Sequence, residues 1–260
     1  MNTQPIGLFD SGVGGTSIWK EIHSLLPHEN TIYLADSKHA PYGSKSKENI
    51  IELSIKNTQY LVDRGCKIIV VACNTATTNA ISILRDRFSI PIIGIEPAIK
   101  PAALKTKTKA IGILATQGTL SSTLFHQTTD LYSDGIEIVE RVGEGLVPLI
   151  EEGKINSEEM TYLLKLYTKP MLDSNIDYLV LGCTHYPYLI PQLIKLLPTN
   201  INIIDSGAAV ARHTKAILEE KQLINPKKTK GVNTFYINTK NTQTIATLLG
   251  GDHDIKYLDF

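Results

Sequence analysis

The chain has little that would bind it covalently or anchor it outside water. Three of its 260 residues are cysteine, namely Cys66, Cys73 and Cys183. That is too few for a disulfide framework, and no two of them form a Cys-x-x-Cys pair. Such sparing use of cysteine fits a thiol-reduced, cytoplasmic setting. No apolar run approaches the roughly 18 residues that a membrane-spanning helix needs, so no membrane partner is expected. The opening Met-Asn-Thr-Gln-Pro runs straight into a short apolar strand, without the charged-then-apolar build of a secretory signal. Charge of one sign is missing as well: 26 Lys and Arg offset 26 Asp and Glu. That balance leaves no electrostatic footprint for nucleic acid, and the short basic run at Lys227, Lys228 and Lys230 reads as a solvated loop.

Several chemistries are excluded in the same way. The seven histidines are scattered with no His-x-x-x-His pair, and Cys183 with His185 supplies two ligands in the wrong proportion for zinc. No metal is therefore expected. Gly12, Gly14 and Gly15 are spaced wrongly for a dinucleotide fingerprint and lack the lysine of a P-loop, so no nucleotide cofactor is expected. A tight turn that lets the backbone approach a small anion is the better reading of that run. A Gly-x-Ser-x-Gly elbow, the mark of one hydrolase class, is absent.

What is present is an alternation of short β-branched runs with longer amphipathic stretches, the pattern of a mostly parallel α/β fold. Strands are expected at 6–9, 31–35, 67–72, 91–95, 110–115, 136–140, 178–182 and 201–204. Helical patterns lie near 15–26, 46–64, 75–88, 119–131, 157–173, 187–197 and 207–222. In the second of these Ser46 can cap the start, Ile50, Leu53 and Leu61 share a face, and Gly65 can close the end. The tail reads as strand 232–237, helix 241–249 and strand 255–259. Two segments recur in order: Ile6 to Gly12 resembles Ile111 to Gly118, and Val70 to Thr75 resembles Val180 to His185. The repeat suggests one βα series used twice, giving two pseudo-symmetric doubly wound lobes. The first lobe is expected to comprise 1–97 plus 208–260, and the second 98–207.

Each notable polar cluster directly follows a strand. Asp10 and Ser11 follow the first, Cys73-Asn74-Thr75 the third, Thr116 to Thr119 the fifth, and Cys183-Thr184-His185 the seventh. Ligand crevices of parallel sheets lie beyond the carboxyl ends of the strands. Two lobes facing each other through those ends would bring one cysteine from each into a shared cleft. Opposed thiols suit inversion at the α-carbon of an amino acid, since one thiolate takes the proton while the other thiol delivers one. Asp10 is placed to orient or deprotonate Cys73, and His185 to serve Cys183. Cys66 has no polar companions and reads as core. Helix N-termini after the two cysteines would bind a carboxylate through backbone N–H groups. Ser11, Thr75, Thr116, Thr119 and Thr184 would add hydroxyls, although plain N-capping also accounts for them.

At these residues the chain resembles the glutamate racemases, of the aspartate/glutamate racemase superfamily. The matching motifs are Phe9 to Gly15, Pro41-Tyr42-Gly43, Ala72 to Ala76, Ile95 to Ala98, Val147 to Glu151 and Gly182 to Pro187. The resemblance implies that Cys73 acts on D-glutamate and Cys183 on L-glutamate. It places Asp10, Ser11, Tyr42, Gly43, Asn74, Thr75, Thr184 and His185 at substrate-binding positions, with Asp36 and Glu151 lining the site. It further implies two α/β lobes with the active site between them, a homodimer, and D-glutamate as a product for bacterial peptidoglycan. His39 departs from the pattern, because many members carry Arg there. The C-terminal 40 or so residues carry no usable motif. An aspartate racemase of the same superfamily, or a non-catalytic amino-acid-binding protein of this fold, are the alternatives.

Overall fold

The apolar runs that read as strands are buried from end to end, so they pair in parallel beneath helices on both faces. The computed structural model describes residues 2–260, in which ten strands and eleven α-helices alternate. The first stretch runs β1 (Ile6–Asp10), α1 (Thr16–Leu25), β2 (Thr31–Ala35), α2 (Lys47–Asp63), β3 (Ile68–Val71), α3 (Asn74–Arg87), β4 (Ile92–Gly94) and α4 (Ile99–Lys105). The second runs β5 (Ala110–Ala115), α5 (Gln117–Leu120), α6 (Thr123–Tyr132), β6 (Glu137–Val142), α7 (Leu146–Glu151), α8 (Glu158–Asp173), β7 (Tyr178–Gly182), α9 (Ile190–Leu196) and β8 (Asn202–Ile204). The chain then returns through α10 (Gly207–Glu220) to β9 (Asn233–Ile237), α11 (Gln243–Leu249) and β10 (Asp254–Tyr257).

All strand pairs are parallel and form two sheets, ordered β10-β9-β2-β1-β3-β4 and β6-β5-β7-β8. The order β2-β1-β3-β4 recurs as β6-β5-β7-β8, so the repeated sequence segments occupy equivalent central strands, β1 with β5 and β3 with β7. Each sheet changes winding direction between those two central strands, and that is where a parallel sheet opens a crevice. The fold is the two-sheet α/β architecture that the sequence pattern implies. Among the described residues no helix is long and apolar enough to cross a membrane.

Local chemistry explains the helices. Ser46 caps α2 by accepting from the Asn49 amide, Ile50 and Leu61 are buried on its inner face, and Gly65 turns the chain at φ +73° beyond its end. Two helices carry no expectation from periodicity, α4 and α7. Both are shorter than two full turns and hold a proline in their first turns, Pro101 and Pro148, so neither builds a readable apolar stripe. The pattern near 119–131 breaks into α5 and α6 because Ser122 starts a fresh helix by capping the Phe125 amide. After Cys183 the chain forms a 3-10 turn over Tyr186–Leu189 before α9, rather than one helix over 187–197.

The segment returning from α10 is pinned by a buried ion pair. Lys67 Nζ lies 2.5 Å from Glu29 Oε2 and 2.8 Å from the Leu223 carbonyl, while Glu29 Oε1 accepts from the Asn225 amide at 2.7 Å. Removing either charge would strand its buried partner at a cost of about 3–5 kcal/mol. The pair thereby delivers β9 to the edge of β2, where Thr31 pairs with Asn233.

Candidate active site

The carboxyl ends of the four central strands converge on one narrow cavity, lined by Ser11, Pro41, Tyr42, Gly43, Cys73, Asn74, Thr75, Thr116, Val147, Cys183, Thr184 and His185. Both Cys73 and Cys183 face it, each one residue or two beyond its strand. Residues from the two sheets meet directly across it. Thr75 Oγ1 lies 2.8 Å from Thr116 Oγ1, Ser17 Oγ donates to the Thr184 carbonyl at 2.8 Å, and Thr184 Oγ1 donates to Asp10 Oδ1 at 3.4 Å.

Cys73 is the N-cap of α3, and its sulfur accepts from the Ala76 amide at 3.5 Å and lies 3.8 Å from Ser11 Oγ. Burial pushes this thiol well above its ordinary pKa, and the Asp10 carboxylate beside it pushes in the same direction. At 4% exposure desolvation outweighs the helix N–H, which favours the thiolate. Asp10 is itself buried and raised by desolvation, partly offset by the His185 charge and by the Gly15 amide, which donates to Oδ2 at 2.8 Å.

Cys183 has the opposite kind of neighbour. Its sulfur lies 3.8 Å from His185 Nδ1, and His185 Nε2 donates to Glu151 Oε1 at 2.7 Å. Asp10 Oδ2 stands 4.0 Å from the same ring. Burial opposes a charge on His185, but the Cys183, Glu151 and Asp10 groups together outweigh it and raise the ring's pKa well above the usual value. Glu151 is held in turn by the Val13 amide at 2.7 Å and by Ser37 Oγ at 2.9 Å.

The glycine run acquires a definite purpose here. A Cβ on Gly12 would lie 1.9 Å from Glu151 Oε1, and one on Gly14 would lie 2.2 Å from His185 Nδ1. The small anion that this backbone approaches is the protein's own Glu151 carboxylate.

Not every expected residue reaches the cavity. Asp36 sits behind the wall, 1% exposed, accepting from Tyr42 Oη at 2.5 Å and His39 Nδ1 at 2.6 Å. Thr119 also lies behind, 3.2 Å from Thr75 Oγ1 and 3.1 Å from Thr116 Oγ1. Asn74, by contrast, is buried in the cavity wall with an Nδ2 that has no protein partner, a donor free for a ligand. Ser37, Asn57 and Asn238 belong to no motif, and Val147 enters only as the first residue of the Val147 to Glu151 match. Their roles depend on contacts across the fold, and only the strand-end positions of Ser37 and Asn238 offer a signal.

Over residues 10–214 the sequence matches the family described as Asp/Glu/Hydantoin racemase, which sets the class as that of the amino-acid racemases. The curated glutamate racemase of Methylococcus capsulatus is 40% identical over 260 residues, covering 99% of this chain and 96% of its own. Among solved structures, Escherichia coli glutamate racemase in complex with L-glutamate and the activator UDP-MurNAc-ala superposes with a TM-score of 0.87 at 34% identity, covering 98% of both chains. The Francisella tularensis glutamate racemase in complex with D-glutamate gives 0.86 at 29% identity, covering 99% of this chain and 98% of that one. Within that class, the chain belongs to the glutamate racemase family.

Proposed function

We propose that this chain interconverts L- and D-glutamate by proton transfer at Cα between Cys73 and Cys183, without a cofactor. The observation that carries this reading is the shared cavity: two thiols at equivalent strand ends of a repeated sheet, both lining one cavity. For L-glutamate, the Cys183 thiolate takes the α-proton, and the C–H electron pair passes into the substrate carboxylate. Cys73, whose raised pKa keeps it a thiol, then delivers a proton to the opposite face. The reverse reaction exchanges these roles, with Asp10 next to Cys73 as the group that receives its proton.

Electrostatics support this division of labour. The His185 cation lies within charge-pair range of a Cys183 thiolate. The substrate ammonium, brought near Asp10 and Cys73, offsets the charge repulsion that keeps that thiol protonated. Asn74 Nδ2 and the amides at the start of α3 offer donors to a carboxylate. Ser11, Tyr42, Gly43, Thr75, Thr116, Thr184 and His185 complete the substrate wall, while Asp36, Thr119 and Glu151 act from behind it. The same reading divides the chain into a first lobe of 1–97 plus 208–260 and a second of 98–207, supported by the packing of α10 on α1. It sets the protein in the cytoplasm as a homodimer that supplies D-glutamate for peptidoglycan and has no nucleic-acid partner.

The test is inversion of pure L-glutamate by protein dialysed exhaustively against a chelator, followed by polarimetry. Full activity without additives is expected. No inversion would overturn the substrate assignment, and activity restored only by an added cofactor would overturn the cofactor-free mechanism. Repeating the reaction in deuterated water probes the opposed bases. Early product should carry deuterium at Cα while recovered substrate carries little, whereas early labelling of the substrate pool would point to a single base.

A further inference from the structure

The C-terminal segment carries no motif, yet it reaches the loop that walls the cleft. Asn238, the residue after β9, is 3% exposed. Its Nδ2 donates to Asp36 Oδ1 at 2.5 Å, its Oδ1 accepts from the Lys38 amide at 2.8 Å, and its own amide donates to the Ala35 carbonyl at 3.3 Å. Asp36 in turn accepts from His39 and Tyr42, and Asn57 Nδ2 donates to Tyr42 Oη at 3.0 Å. Tyr42 and Gly43 form the cavity wall opposite Thr116.

This loop has almost no apolar core of its own. Between residues 37 and 45 Tyr42 is the one fully buried side chain, and the segment consists of two single 3-10 turns. Its position therefore depends on the polar network around Asp36, and removing one donor moves the wall rather than opening a void.

We propose that Asn238 is a positioning residue for the reaction: from the end of β9 it holds Asp36, and through Asp36 and Tyr42 it sets the wall at Pro41 to Gly43 against which the substrate seats. The inference rests on the proposed assignment of the cavity to glutamate. It also gives the C-terminal strands a part in substrate binding.

Asn238→Asp tests it, because the variant keeps the size and replaces the donor by a second carboxylate facing Asp36. At acidic pH the two carboxylates share a proton and the bond reforms; as pH rises they repel and release the loop. The other titratable groups facing this point, His39 and Tyr42, are common to both proteins, and the Lys38 ammonium is turned outward to Asp259. The ratio of variant to wild-type KM for glutamate should be near one at acidic pH and rise to about tenfold at alkaline pH, the worth of one hydrogen bond to a charged group. The kcat should stay within about threefold throughout. Asn238→Leu, which has no proton to share, should raise KM by one factor at every pH.

A KM ratio that stays at one across pH, or a fall in melting temperature with KM unchanged, would overturn the proposal. Should Asn238→Asp unfold at alkaline pH, the double variant Asp36→Asn with Asn238→Asp restores a single carboxylate to the pair. It should flatten the KM ratio, and failure to do so would also overturn the proposal. Wild-type protein that does not turn over glutamate would defeat the functional assignment itself. Failure of the present inference would leave wild-type rates intact.

Discussion

Cys73 and Cys183 end equivalent strands of a repeated sheet, but their surroundings carry opposite charge. Cys73 caps a full α-helix and lies beside a buried carboxylate, whereas Cys183 heads a 3-10 turn and lies beside a buried imidazole paired with Glu151. Duplication of the sheet thus accounts for where the thiols are, and the residues just after them account for how they differ. A symmetric reaction between mirror-image substrates runs through a site that is not symmetric. Matched position and matched chemistry are set by separate parts of the sequence.

Removal of either thiol has the largest expected effect. Cys73→Ala and Cys183→Ala should each lower racemisation in both directions by about 10²–10⁴-fold or more, since every turnover needs one thiolate and one thiol. Retention of most activity in either variant, in a coupled D-glutamate assay, would remove that thiol from the mechanism.

Gly14→Ala acts first on the Cys183 side of the site. The new methyl would overlap the His185 ring at 2.2 Å, and the buried ring has to shift. Displacing a catalytic group by such an amount costs on the order of 10²-fold. Because the enantiomers have equal free energy, kcat/KM must fall by the same factor in both directions. The asymmetry should instead emerge in the separate kcat and KM values, and in isotope effects measured with each Cα-deuterated enantiomer. Identical isotope effects would mean that the shift reaches both thiols.

A smaller effect is expected from Glu151→Gln, which keeps an acceptor for Val13 but removes the charge beside His185. Activity should fall by about tenfold, equivalent to one pKa unit on the ring. Stability gives a signed test. His185 has its folded pKa raised, so its contribution is complete below the ordinary value of about 6.5 and is lost as pH rises through the raised one. Melting curves of the variant should complete that decline at lower pH than wild type, with a smaller total loss. A decline at unchanged pH would show that Asp10 and Cys183 alone sustain the ring's charge.

The least change is expected from Cys66→Ala. Burial pushes the Cys66 thiol up to about 12, and the side chain packs in the apolar cluster with Leu61 and Ile69, away from the cavity. Activity should stay within about twofold of wild type, with a modest loss of melting temperature from the lost packing. A large loss of activity would mean that cysteine burial alone does not separate bystander from participant.

These outcomes also measure what the sequence makes legible. Strand positions were readable because the central strands are uniformly apolar and bounded by polar clusters, as in β5 and β7, whose limits match the expected ranges. Cys73, Cys183, Asp10 and His185 were readable because each lies directly at a strand end. The helices α4 and α7 were not, since short proline-bearing turns leave no periodic stripe. Nor was the position of Asp36 behind the wall, or the part of Asn57 and Asn238, whose hydrogen bonds to Asp36 span 21 and 202 residues of sequence. Local pattern reports which groups stand at a strand end; long-range partnering decides which of them face the cavity.

Glu151 is gripped by the Val13 amide and Ser37, and His185 stands 4.0 Å from Asp10, so residues at the carboxyl ends of the first two strands govern a ring that belongs with the second sheet. Any movement that parts the two sheets takes Asp10 away from the imidazole, loosens Glu151 and lets water reach the ring. Its affinity for a proton then drifts back toward that of a free histidine. The ring works as a gauge: held protonated while the two sides are docked, and ordinary once they separate. The proton affinity of the ring beside Cys183 is therefore made at the interface between the two sheets, rather than stored in either half.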